Sequence, residues 1–242
     1  MSLANIFQQP IEVKGAGFVY PVKLKHWDEF EENVEPIMYS KKHIQTQEDI
    51  PLLDRLVFGL QDIKIINSLC KIFSVVCRSS EFQFVSTEEG NYGFINSENQ
   101  VIHRDNYEEL RLLILHQNIL FEPKIYKTPA LQKWAEKVLK ARSKNSPNVT
   151  IEDMLSTVSV MAGKHYWDLA EYTIYQLKYD FNRICKIKNF ESQSLLFANP
   201  YADLSKMKLE HFAENIDMYE NPYDGLFKEK SSLMKIDNAI QG

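Results

Sequence analysis

The stretch that most constrains this chain lies at 166–187, where Ala170, Ile174, Leu177, Phe181 and Ile184 recur in alternating steps of four and three residues. That spacing tracks the 3.6-residue turn and lays one apolar stripe along a helix of about six turns. Beside it Tyr172, Tyr175 and Tyr179 form a second ladder. A stripe of that length has to be covered by another layer, so the chain must build a packed helical body. The ladder has two readings, a core or domain contact and a protein interface, because tyrosine buries a large area while keeping a polar tip.

A chain of 242 residues allows one large or two small domains. Its 44% hydrophobic and 25% charged residues exclude a disordered polar polymer. With 28 Lys and Arg against 33 Asp and Glu, the net charge of −5 supplies no basic field for gripping nucleic acid. Residues 1–6 lack the cationic start and apolar run of a secretory signal. The most apolar window, 63–76, is broken by Lys64, Asn67, Lys71 and Ser74, so no membrane span is expected. Cys70 and Cys77 are seven apart on one helix, ~10 Å along its axis and too far to bridge. With Cys185 they read as reduced, packed thiols of a cytoplasmic protein. The glycosylation pattern at Asn148-Val149-Thr150 would go unused in that compartment.

Near the start, Ile11-Glu12-Val13 and Phe18-Val19-Tyr20 flank Gly15-Ala16-Gly17, which reads as a β-ribbon around a glycine turn rather than a phosphate loop, since no helix opens after it. Pro21 cannot donate a ladder bond, so the second strand must be an edge or bulged. Helices are expected at 27–41, 47–59 and 61–78, the second opened by a capping-box spacing at Thr46-Gln47-Glu48-Asp49. From 81 to 103 the period becomes two, through Phe82, Phe84, Tyr92, Phe94 and Val101, with turns at 89–91 and 96–99. This is a three-stranded antiparallel meander, and the helix at 106–120 offers Leu110, Leu113, Ile114 and Leu120 to cover it.

Residues 121–127 have no helical period, and Thr128-Pro129 places a capping hydroxyl before a proline at the first helical position. The domain joint is expected there, between an α+β domain at 1–127 and a helical domain at 128–242. The second half reads as helices at 129–141, 151–161, 166–187 and 206–218, with a capping-box spacing at Thr150-Ile151-Glu152-Asp153, a turn at 221–225 and a short mobile or partner-ordered tail at 228–242. The fold class is therefore α+β: a ribbon and meander packed with helices, followed by a mostly helical half.

The residues offer no recognisable catalytic constellation. The six histidines, His26, His43, His103, His116, His165 and His211, show no i,i+4 pair. Cys185 with His165 and Asp168 lacks a strained elbow or activating helix end. Walker, kinase and dinucleotide fingerprints do not occur. Carboxylates at Asp28, Glu31, Glu32 and Glu35 suit a solvated helix face better than acid catalysis. No cofactor, metal or enzymatic activity is expected. The charge pattern is more informative: Lys133, Lys137, Lys140, Arg142 and Lys144 oppose an acidic block at 28–35, making the molecule dipolar. Those lysines suit a solvated face, or docking between copies or onto an acidic partner. Only Trp134 is there to stack on a base, which disfavours a nucleic-acid groove.

Several strings resemble a group of tailed-bacteriophage proteins encoded in the tail module near the tape-measure gene. They are Asn106-Tyr107-Glu108-Glu109-Leu110-Arg111 running into His116-Gln117-Asn118-Ile119-Leu120, then Thr150-Ile151-Glu152-Asp153, then Tyr172-Thr173-Ile174-Tyr175-Gln176-Leu177, closing with Phe181-Asn182-Arg183-Ile184. The resemblance covers about 102–184 and carries no catalytic residues. It implies a tail or baseplate assembly protein, chaperone-like, in the host cytoplasm or the virion tail. The partners so implied are phage tail proteins, tape-measure or baseplate components, with a homo-oligomer as a further option and no membrane. Shielding a helical client needs aromatic surface, and the candidates are Trp167, Tyr172, Tyr175 and Tyr179, with Lys133, Lys137 and Lys140 as a second contact face. A structural virion component and a small nucleic-acid-binding or regulatory protein are the alternatives.

Overall fold

The structure, a computed structural model, describes residues 3–44, 49–87, 90–126, 128–145, 149–199, 201, 208–221 and 223; of 142–145 only the backbone is described. A short helix α1 (Leu3–Ile6) precedes the ribbon of β1 (Ile11–Val13) and β2 (Gly17–Val19), which pair antiparallel with Ile11 opposite Val19 and Val13 opposite Gly17. Gly15 and Gly17 have φ of +85° and +80°, where a side chain is strained, and a Cβ on Gly17 would meet the Gln100 amide at 2.4 Å. The strand ends before Pro21, as a missing N–H requires. The Tyr20 N–H turns to the Val76 carbonyl at 2.8 Å and the Val22 N–H to Asn118 Oδ1 at 3.0 Å.

The helix expected at 27–41 is two helices, α2 (Trp27–Asn33) and α3 (Glu35–Met38). Pro36 stands in the first turn of α3, where its missing N–H costs nothing, whereas inside one continuous helix its ring would strike the carbonyl four residues back. The expected 47–59 helix shortens to α4 (Leu52–Asp54), followed by a π turn at Arg55–Gly59; its supposed capping box lies mostly outside the described residues. Buried Arg55 explains the detour, donating to the carbonyls of Ile50, Lys41 and Ile44 and so tying the preceding loop to the turn. Helix α5 (Ile63–Cys77) is capped by the Asp62 side chain on the Lys64 N–H and ends at Arg78, whose φ of +49° is left-handed.

The meander is β3 (Gln83–Ser86), β4 (Tyr92–Ile95) and β5 (Val101–Ile102), in the order β3-β4-β5 with Phe84 opposite Phe94. Phe73 of α5 meets Phe94 and Phe82 edge-on, with centroids 5.1 and 5.9 Å apart, an arrangement suited to the ring quadrupoles. Helix α6 (Tyr107–Gln117) covers this layer with Leu110 and Ile114. Asn106 joins the three parts: its Nδ2 donates to the carbonyls of Lys14 at 3.0 Å and Val101 at 2.9 Å, and its Oδ1 accepts from the His103 N–H.

Then come α7 (Pro129–Asn145), α8 (Ile151–Ala162), α9 (Tyr166–Ala170) and α10 (Ile174–Phe197). The chain divides into compact units otherwise than at 127: one holds 1–122 with 151–218, the other 123–150 with 219–242. The physical reason is that Val158, Leu169, Ile174 and Leu177 belong to the same buried core as Val13, Phe73 and Leu110, so α8–α10 complete the α+β body and do not form a separate helical domain. In the smaller unit α7 starts as its sequence demands, with Thr128 Oγ1 accepting from the Leu131 N–H at 3.3 Å. The single helix expected at 166–187 is interrupted because Thr173 adopts an extended backbone and caps α10, while the Tyr172 carbonyl accepts from the Leu24 N–H at 2.8 Å.

No helix forms in 208–218, where one was expected: the carbonyls of Phe212 and Glu214 are taken by Arg183 Nη1, the latter at 3.0 Å, and Ile216 and Met218 are buried instead. Two of the expected 206–218 residues, three of the 221–225 turn and all of 228–242 lie outside the described residues. Cys77 is buried, but Cys185 is exposed on α10 and not packed as expected. Among the described residues no helix is long and apolar enough to cross a membrane.

Candidate functional site

The start of α10 carries the most elaborate constellation in the larger unit. Thr173 and Gln176 form a reciprocal capping box: Thr173 Oγ1 accepts from the Gln176 N–H at 3.3 Å and Gln176 Oε1 accepts from the Thr173 N–H at 2.9 Å. Gln176 also donates to the Ile6 carbonyl at 2.7 Å and accepts from Gln8 Nε2 at 2.8 Å, so the N-terminal segment is fastened to the helix start. Around this knot Ile6, Lys164, Tyr172, Tyr175, Gln176, Tyr179 and Asp180 line a cavity of about 220 Å³.

The tyrosine ladder thus closes on a pocket and does not present a flat outer face. Tyr175, proposed from the sequence as an interface residue, is only 1% exposed, because the capped helix turns it inward, where its ring stacks parallel on Tyr179 with centroids 6.0 Å apart. Tyr172 and Tyr179 are half-buried. Lys164 reaches back from the α8–α9 turn, donates to the Tyr172 hydroxyl and holds its Nζ 4.6 Å from that ring's centre. Burial raises the Asp180 carboxyl, with Lys164 opposing the shift. Neither Lys164 nor Asp180 stands out in the sequence. Asp180 falls on the line Tyr172, Gln176, Asp180 at steps of four, but nothing local announces that Lys164 folds onto it.

Trp167 behaves differently from the ladder it was grouped with. It is 87% exposed on α9, and Tyr166, Val160 and Met161 are exposed beside it in sequence. Large apolar groups exposed so close together along the chain suit a surface that a partner covers. Lys133, Lys137 and Lys140 occur in the smaller unit, exposed along α7 at steps of four and three, while Ala135 on that helix is buried. The side chains of Arg142 and Lys144 lie outside the described residues.

A second cleft of about 380 Å³ is lined by Lys23, Lys25, His26, Glu29, Ser74, Val75, Arg78 and Ser79. Its lysines are both committed to Glu171, each at 2.5 Å, and the pair holds that carboxyl down to about 2. Arg78 lies over the Tyr20 ring at 4.3 Å. Histidine, acid and thiol do not assemble at Cys185: its thiol is exposed, and His165 meets Asp168 only through the backbone, the Asp168 N–H donating to the His165 carbonyl at 3.0 Å. Among the described residues, no three His, Cys, Asp or Glu side chains stand close enough to hold a metal ion.

Residues 142–217 match the family described as the YomV second domain, a stretch that contains α8, α9, α10 and the tyrosine pocket's α10 wall. The chain is similar to the SPbeta prophage-derived uncharacterized protein YomV of Bacillus subtilis (strain 168), with 27% identity over 120 residues that make up 50% of this chain and 49% of that protein. It therefore spans about half the length of the curated relative it matches. No solved structure matches it. The chain is thus a homologue of a prophage-derived protein.

Proposed function

We propose that this chain is a non-enzymatic bacteriophage tail or baseplate assembly protein that acts, chaperone-like, by holding helical segments of tail proteins. The observation that carries the reading is the exposure of Val160, Met161, Tyr166 and Trp167, which fall inside the stretch matching the YomV second domain. An exposed aromatic anchor with aliphatic side chains near it in the sequence suits an amphipathic helix, whose apolar stripe needs one large group to seat against. The prophage origin of the relative supports a phage role.

The experiment is deletion of the gene from its phage or prophage, followed by electron microscopy of induced lysates and mass spectrometry of purified virions. Heads without tails, together with the protein's absence from virions of the parent phage, are the expected results. Normal tails in the deletion would overturn the reading, and stoichiometric presence in the particle would make it a structural tail component instead. Trp167→Ala is expected to reproduce the deletion in part while the protein remains folded.

A further inference from the structure

The tyrosine pocket at the head of α10 has the makings of a cation site, and the cation on its wall comes from the chain itself. Tyr172, Tyr175 and Tyr179 line it, and two of them already meet cations at their hydroxyl ends: Lys164 Nζ donates to the Tyr172 hydroxyl, and Arg183 Nη2 to that of Tyr179 at 3.5 Å. A phenol oxygen accepts from a cationic donor in a charge-assisted hydrogen bond. Asp180, half-buried in the same wall, makes no hydrogen bond or ion pair with the described residues; Lys164 influences it only at longer range. A carboxylate left so is costly unless a cation joins it. The cavity of about 220 Å³ is smaller than the ~300 Å³ at which ligand sites usually begin, which leaves room for a side chain and not for a cofactor.

Lys164 is placed as a movable part of the wall. Its backbone is fixed in the α8–α9 turn by its N–H on the Ser159 carbonyl and by Ser159 Oγ donating to its own carbonyl, while the flexible side chain alone enters the pocket. A side chain can leave without disturbing that turn.

We propose that this pocket receives a lysine or arginine side chain from a partner polypeptide, hydrogen-bonded to the Tyr172 hydroxyl against Asp180 in place of Lys164. The inference rests on the reading of the chain as a protein-binding one and specifies a basic residue in the bound segment. Hydroxyl acceptors beside one acid select a basic side chain over an acidic or apolar one.

The test is NMR titration of the full chain with labelled tyrosine rings, using N-acetyl-arginine amide and N-acetyl-lysine amide as probes and the corresponding glutamate and leucine amides as controls. The basic amides should shift the Tyr172, Tyr175 and Tyr179 signals and the controls should not. Lys164→Ala should tighten binding about tenfold by removing the competitor, Asp180→Asn should weaken it about tenfold, and Asp180→Glu should retain it. Equal response to the glutamate or leucine amide, or no gain in Lys164→Ala, overturns the proposal. Should Asp180→Asn unfold, the Lys164→Ala result decides alone. Loss of this binding with tail assembly still dependent on Trp167 removes only the pocket's role, whereas normal tails without the gene remove the function itself.

Discussion

Gln8 Nε2 donates to Gln176 Oε1 at 2.8 Å, joining two residues 168 positions apart in the sequence. The same Gln176 caps α10 and holds the Ile6 carbonyl, so one side chain serves both the helix start and the docking of the N-terminal segment. Gln176→Ala is expected to cost about 1–2 kcal/mol, more than an exposed helical position, because the cap and the tether are lost together. Urea unfolding measures the cost, and hydrogen exchange at residues 6–9 should accelerate in the same variant.

The two aromatic residues grouped together in the sequence should separate in mutagenesis. Tyr175→Ala removes a ring that is 1% exposed and is expected to destabilise by about 3 kcal/mol or more. Trp167→Ala removes one that is 87% exposed and should stay within about 0.5 kcal/mol of the parent. Paired denaturation curves decide the matter; equal losses would mean that Trp167 is packed.

Arg111 is fully buried, with Nε on the Ile37 carbonyl at 2.9 Å and its two terminal nitrogens on Glu108 and Glu122. Truncation leaves a buried carbonyl and two carboxylates without their donor. Arg111→Ala is expected to cost about 3–5 kcal/mol from the cavity and the orphaned Ile37 carbonyl, whereas removing Lys188, whose bridge to Glu191 is exposed, should cost under about 0.5 kcal/mol. Thermal melts of both variants give the comparison.

The thiols should react in order of exposure. Cys185 is exposed, Cys70 is half-buried with its thiol pushed up by burial, and Cys77 is buried with its thiol pushed up to about 12. At pH 8 a thiol reagent is expected to label Cys185 first and Cys77 only on unfolding. The raised Cys77 value also fixes the sign of its pH effect. Its stabilisation is fully present below the unfolded thiol value near ~8.5 and is lost as pH rises from there towards about 12, because the unfolded chain gives up the proton more readily. Cys77→Ser, measured against the parent between pH 8 and 10, should lessen that alkaline loss.

Much of the architecture was legible in the residues. The alternation at Phe82, Phe84, Tyr92 and Phe94 gave the meander, the glycines at 15 and 17 the ribbon turn, and Thr128-Pro129 the start of α7. These are local signals, fixed by side-chain period and backbone freedom within a few residues. Breaks were harder to read where the interruption depends on a distant group: Thr173 stops α9 from running into α10 because Leu24 takes the Tyr172 carbonyl, and 208–218 stays unwound because Arg183 takes its carbonyls.

The site divides along the same line. Its tyrosines could be found from spacing alone, since helical repetition places Tyr172, Tyr175 and Tyr179 near one another whatever surrounds them. Whether they face water could not, because that depends on which side of α10 the core claims, and the core is assembled from segments more than a hundred residues away. Tertiary packing turned Tyr175 inward, left Trp167 outside, and brought Lys164 and the N-terminal segment to a pocket that no contiguous string encodes. Periodicity is a property of neighbours along the chain; burial and charge pairing are set only when the whole chain has closed.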